Sequence, residues 1–182
     1  MQQFILVKSS KDAYEQIIVV LKMLLGNSID SNIVDDILIV KNQAHDSKEI
    51  YDTLKSLESD LNVAISVYVS YASEDIDTEL NLVLKYFKIV ESGNYNLKSL
   101  LFSTKQFVDK TAIFKFITNG SGVDENIVMA MALNDLNVSK ASNLLYMHRN
   151  TLLYKIDRLI DLKDFDLKKF VDLMILVRLL KA

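Results

Sequence analysis

The front of the chain alternates between strand and helix periods. Residues 3–7 (QFILV) form a short β-rich run, whereas residues 12–25 space their apolar positions at three and four, as a one-sided helix does. Two runs rich in Ile and Val follow, residues 28–34 and 36–40, and the Asp35-Asp36 pair at their junction predicts a hairpin tip. Residues 47–61 are helical, with Ile50, Leu54, Leu57 and Leu61 on one side and charges opposite. Residues 63–71 alternate strictly, so Val63, Ile65, Val67, Val69 and Tyr71 are expected on one face of a strand. Residues 77–92 return to helical spacing and stop at Gly93, a suitable C-cap. The order βαββαβα predicts an α+β or α/β sandwich with helices over a sheet.

Beyond Gly93 the β signal fades. Residues 105–118 read as a helix, and residues 119–123 (NGSGV) break it. Asp124 can cap the next helix, residues 125–136, and three further helices are predicted at 139–145, 148–162 and 166–180. The domain reading is a front α/β domain over 1–98, a connecting helix and loop over 99–123, and an all-α domain over 124–182. The apolar face Phe170, Leu173, Met174, Val177 and Leu180 is read as core, with a dimer contact as its alternative.

Composition narrows the chemistry. Cysteine is absent, which excludes disulfides and thiolate sites, and only two histidines, His45 and His148, are present, so a zinc enzyme is not expected. With no proline and four glycines, Gly-rich phosphate loops are not expected either. No cofactor, no metal ligand and no catalytic residue is assigned. No run reaches the roughly 18 apolar residues of a membrane helix, and the start MQQFILVKSSKD lacks a secretion signal, which reads as a cytoplasmic protein without a membrane partner. The net charge of -3 divides unevenly, with 12 Lys/Arg against 16 Asp/Glu in residues 1–123 and 9 against 8 in residues 124–182. Neither part is a basic tail, so nucleic-acid binding must rest on local placement of charge.

That placement occurs at NVSKASNLLYMHRNTLLYKIDRL, residues 137–159. Ser139 is a suitable N-cap for a short helix that turns Ala141, Leu144 and Leu145 inward, and Tyr146 and Met147 separate it from a second helix starting near His148. A short helix, a tight turn and a longer helix make a helix-turn-helix layout. In the second helix Leu152, Ile156 and Leu159 have core spacing, whereas Arg149, Asn150, Leu153 and Arg158 point elsewhere, flanked by Thr151, Tyr154 and Lys155. Arg can fork onto guanine, Asn onto adenine, and a helix N-terminus attracts phosphate, so the cluster suits a major groove. Candidate DNA contacts are Ser139, His148, Arg149, Asn150, Thr151, Tyr154 and Lys155, with Lys140 and Arg158 on backbone phosphates.

These residues carry a resemblance. The string LLYMHRNTLLYKIDRL resembles the C-terminal helix-turn-helix of the PucR-type bacterial transcription regulators, which include purine-catabolism and sugar-diacid regulators. The likeness runs through Leu145, Tyr146, Met147, His148, Arg149, Asn150, Thr151, Leu152, Tyr154, Lys155 and Ile156, and extends over about residues 120–182. Ser142 departs from it, where a second Ala is frequent. The related Fis-type module has Gly where this chain has Tyr146.

The resemblance also bears on the front domain. Many such regulators place a degenerate relative of the GGDEF nucleotide-cyclase domain before the DNA reader, and βαββαβα is that domain's order. Ile33-Val34-Asp35-Asp36-Ile37 stands in place of G-G-D-E-F, so Ile33 and Val34 are expected to close the nucleotide phosphate site. Residues 65–93, from the strand through the helix that follows, resemble the end of such domains. The resemblance implies a metabolic effector, usually sensed by an additional N-terminal domain, so the chain reads as a shortened member or a fragment.

Plainer readings stand beside these. His148 can be only a cap or a surface residue, Arg149 and Lys155 solvated charges, Thr151 a first-turn residue, and Tyr154 a packing residue with its hydroxyl at the edge. His45 reads as loop surface, and Asp35 and Asp36 as either an acidic metal pair or solvated turn residues. Three functions follow: a non-enzymatic, sequence-specific DNA-binding regulator of a metabolic operon, acting as a homodimer on double-stranded DNA with a small-molecule effector; a nucleotide cyclase or metal-dependent phosphotransferase; and a non-catalytic sensing or dimerisation module.

Overall fold

The structure, a computed structural model, describes residues 1–72 and 76–180. Part of the segment resembling the end of a cyclase domain, residues 73–75, and the last two residues of the predicted DNA-binding domain lie outside the described residues. The chain is α+β and forms two compact units, Met1–Ser103 and Thr104–Ala182.

In the first unit β1 (Gln2–Lys8), β2 (Asp30–Val34), β3 (Ile37–Gln43), β4 (Ser66–Val69) and the two-residue β5 (Asn94–Tyr95) build one sheet in the order β2-β3-β1-β4-β5. β1 lies at its centre, antiparallel to β3 and β4, while β5 runs parallel to β4. One face, with Ile5, Val7, Leu38, Val40, Val67 and Val69, buries against α1 (Tyr14–Leu25) and α2 (Ser47–Leu61). The other is aromatic: Phe4 stacks on Tyr68 at 5.7 Å between centroids, and Tyr68 meets Phe87 edge-on at 6.3 Å. Phe87 belongs to α3 (Ile76–Phe87), which is followed by α4 (Leu97–Ser103).

This second helical layer corrects the one-faced strand expected over residues 63–71. Only Ser66–Val69 is strand, and both of its faces are buried because α3 covers the side that alternation assigns to solvent. The polar positions of that alternation are therefore satisfied internally. Tyr68 donates to Glu79 Oε1 at 2.5 Å, and the Ser70 hydroxyl accepts from the Phe4 N–H at 2.8 Å. Burial, and then the neighbouring Glu79, push the Tyr68 hydroxyl well above the ordinary tyrosine range.

The hairpin tip has a specific geometry. Asp35 and Asp36 both take left-handed φ, 49° and 60°, as a two-residue type I′ turn requires. Asp35 pairs with Lys88 at 2.5 Å and Asp36 with Lys11 at 3.0 Å, each through one carboxylate oxygen. Ile33 and Val34, expected to close a phosphate site, lie exposed on the edge strand β2. Among the described residues no group of three or more His, Cys, Asp or Glu converges as a metal site. Nor is any described helix long and apolar enough to cross a membrane.

The second unit contains α5 (Lys110–Thr118), α6 (Glu125–Leu133), α7 (Val138–Leu144), α8 (Arg149–Lys163) and α9 (Phe170–Leu180). Several ends differ from the periodicity. α5 starts at Lys110 rather than 105 because Asp109 accepts from the Ala112 N–H at 3.1 Å and fixes the start. Asp124 caps α6 as expected, accepting from Ile127 N–H at 2.9 Å. α6 stops at Leu133 rather than 136, since Asp135 and Leu136 turn left-handed, with φ of 52° and 64°. α9 begins at Phe170, not 166, because Asp166 forms a preceding turn: its N–H donates to Asp172 at 2.8 Å and its carboxylate accepts from the Lys168 N–H. The apolar face read as core is only partly so: Leu173 is buried, Met174, Val177 and Leu180 are half-buried, and Phe170 is exposed.

Candidate nucleic-acid interface

The site is a helix presented by its own apolar stripe. Leu152, Ile156 and Leu159 follow the helical repeat along α8 and are fully buried, together with Ala141 of α7. Anchoring that stripe turns the opposite side of α8 outward, and His148, Arg149, Asn150, Thr151, Tyr154 and Arg158 are all exposed. Lys155 is half-buried at the edge. Its Nζ donates to the Gly122 carbonyl at 2.8 Å, and its aliphatic carbons lie 3.6 Å from where a Gly122 side chain would begin. Gly122, at φ 77°, thus supplies both the left-handed backbone and the close approach that seat α8 on the loop after α5.

Each start and stop has a local cause. Ser139 is not the N-cap of α7. Asn137 is, its Oδ1 accepting from the N–H groups of Ser139 at 3.0 Å and Lys140 at 3.1 Å. Asn and Ser are about equal as caps, so sequence had no basis to choose between two candidates two residues apart. Replacing Asn137 with Ala is expected to destabilise the unit by about 1 kcal/mol, read as a lower urea midpoint. Ser139 and Lys140 remain exposed in the first turn of α7.

At the start of α8, His148 is the N-cap, and Nδ1 accepts from the Asn150 N–H at 3.2 Å. A ring nitrogen that accepts carries no proton, so the neutral ring bears its hydrogen on Nε2, an outward-facing donor. The cap role and a ligand-facing role therefore use different atoms of one side chain. Farther along, Tyr154 Oη and Arg158 Nη1 stand 3.5 Å apart, one helical turn from each other on the exposed face.

Charge at the start of α8 runs against the helix macrodipole, while Lys163 in its last turn runs with it. Its first turn has no acid and begins with Arg149, whereas Asp157 and Asp161 lie in its later turns. At the helix start Arg149 opposes the macrodipole by about 0.3–1 kcal/mol. Asp157, midway along α8, pairs with Lys168 at 3.6 Å, and no acid in the first turn compensates the positive end. An exposed N-terminus carrying Arg, Asn and Thr, with Lys140 on the neighbouring helix, can engage a polyanion through charge and bases through forked hydrogen bonds.

Comparison with known proteins adds two findings. The family described as the PucR C-terminal helix-turn-helix domain matches residues 127–182, which span α6 to α9 and include every exposed residue described above. The fold resembles the crystal structure of a regulator of polyketide synthase expression from Bifidobacterium adolescentis, with a TM-score of 0.54 and 14% identity over 98% of this chain and 78% of that one. No curated protein sequence matches the chain. The match of residues 127–182 to the PucR-type helix-turn-helix domain supports a DNA-binding transcriptional regulator.

Proposed function

We propose that the chain is a non-enzymatic, cytoplasmic transcriptional regulator of a metabolic operon that reads double-stranded DNA as a homodimer, with α8 in the major groove. The observation that carries this reading is the polar start of α8 held clear of the interior by the buried Leu152, Ile156 and Leu159. His148, Arg149, Asn150 and Thr151 face base edges, with Tyr154 and Lys155 at the groove wall. Ser139, Lys140 and Arg158 meet backbone phosphates. Residues 124–182 are the DNA-binding domain. One copy offers few cations, so useful affinity needs two copies on two half-sites a helical turn apart.

The first unit serves as a non-catalytic GGDEF-like scaffold that transmits dimerisation or a small-molecule signal. The pairing of Asp35 and Asp36 with lysines at the hairpin tip supports a structural role for this acidic pair. The proposal is tested by fluorescence anisotropy on a mixed-sequence duplex as salt is raised. Lys140→Ala is expected to weaken binding to every sequence alike and to flatten the salt slope by about one. A slope identical to that of the unmodified chain would remove Lys140 from the interface, and no binding by the unmodified chain would remove the function.

A further inference from the structure

α7 ends in a Schellman motif. The Tyr146 N–H donates to the Asn143 carbonyl at 3.2 Å and the Met147 N–H to the Ser142 carbonyl at 3.0 Å. The motif puts Tyr146 at φ 50°, the left-handed position that glycine occupies without strain. Seven described non-glycine residues have positive φ, namely Asp35, Asp36, Asn62, Asp135, Leu136, Tyr146 and Asp164. Five are Asp or Asn, whose short polar side chains tolerate this conformation, and Leu136 is half-buried. Tyr146 differs from all of them: it is a large ring at 100% exposure. The two capping hydrogen bonds offset the backbone strain, but among the described residues no packing or side-chain hydrogen bond engages the exposed ring.

The ring stands two residues before His148, at the shoulder of the helix that carries the candidate reading residues. Neither α7 nor α8 has an acid in its first turn, and Lys140 and Arg149 lie on the two helices that the turn joins. That charge environment suits a polyanion, and a phenol hydroxyl is a neutral donor to it. We propose that Tyr146 is a further DNA contact, whose hydroxyl donates to a backbone phosphate oxygen at the rim of the groove. This rests on the reading of α8 as the groove helix. Contact with phosphate fixes the depth and angle of α8 without reading sequence.

The test uses the full chain and four variants, Tyr146→Phe, Tyr146→Gly, Arg149→Ala and Lys140→Ala, on a mixed-sequence duplex, with a thermal melt of each. Loss of one hydrogen bond to a charged phosphate oxygen is expected to weaken binding about tenfold or more in both Tyr146 variants. Their salt slope stays that of the unmodified chain, because a neutral donor releases no counterion. Glycine fits φ 50°, so Tyr146→Gly binds more weakly without a lower melting temperature, which a purely structural turn residue would not do. Unchanged affinity in Tyr146→Phe overturns the proposal whatever the glycine variant does, as does a flattened salt slope. If Arg149→Ala and Lys140→Ala also bind as tightly as the unmodified chain, the groove reading itself has failed. If they weaken while Tyr146→Phe does not, only the Tyr146 contact is lost.

Discussion

Arg149→Ala is expected to lose about 1–3 kcal/mol of operator affinity and to relax preference at one base pair of each half-site. Arg149 opens α8, is exposed, and sits where the uncompensated positive end of the helix meets solvent. Its removal deletes a forked donor while leaving the buried stripe untouched, so the melting temperature should stay where it is or rise slightly as an opposed dipole interaction disappears. Competition titrations on duplexes varied one base pair at a time read the affinity and the relaxed position together. An unchanged base preference would show that Arg149 does not touch a base.

Ile156→Ala should do the reverse. Ile156 is fully buried in the stripe that seats α8, and truncating such a side chain leaves a cavity costing about 2–5 kcal/mol. A domain of this size is stable by only about 5–15 kcal/mol, so the loss is a large fraction of the whole. Urea unfolding followed by circular dichroism should show a markedly lower midpoint for the helical unit. DNA affinity measured well below that midpoint should change little, since no exposed residue has been altered. A midpoint within error of the unmodified chain would mean that the stripe does not hold α8. The two variants therefore separate presentation of the helix from contact by the helix.

Much of this was legible in the residues, and the losses have identifiable causes. Helical spacing gave Ser47–Leu61 to the residue, because one apolar side and one charged side leave a single solution. Alternation predicts a one-faced strand over residues 63–71, longer than the observed Ser66–Val69 with both faces buried, since it reports the polarity of a side chain and not what covers it. Ser66, Tyr68 and Ser70 look solvent-facing until α3 and its Glu79 are in place. Helix ends were displaced wherever two cap residues competed, as at Asn137 and Ser139, or where a nonglycine residue turned left-handed, as at Leu136. The exposure of His148, Arg149, Asn150 and Thr151 followed from the spacing of Leu152, Ile156 and Leu159. The tie from Lys155 to Gly122 did not, because it depends on a backbone atom that no side-chain pattern encodes.

Selection of bound duplexes from a random-sequence pool by the full chain puts groove reading and pairing of copies to trial together. Enrichment of a two-fold symmetric site is expected, with half-sites separated by about one helical turn, and with one position losing its preference when Arg149→Ala replaces the unmodified chain. A retained pool no different from the starting one, or a preference that Arg149→Ala leaves intact along with substitutions of His148, Asn150 and Thr151, would contradict it.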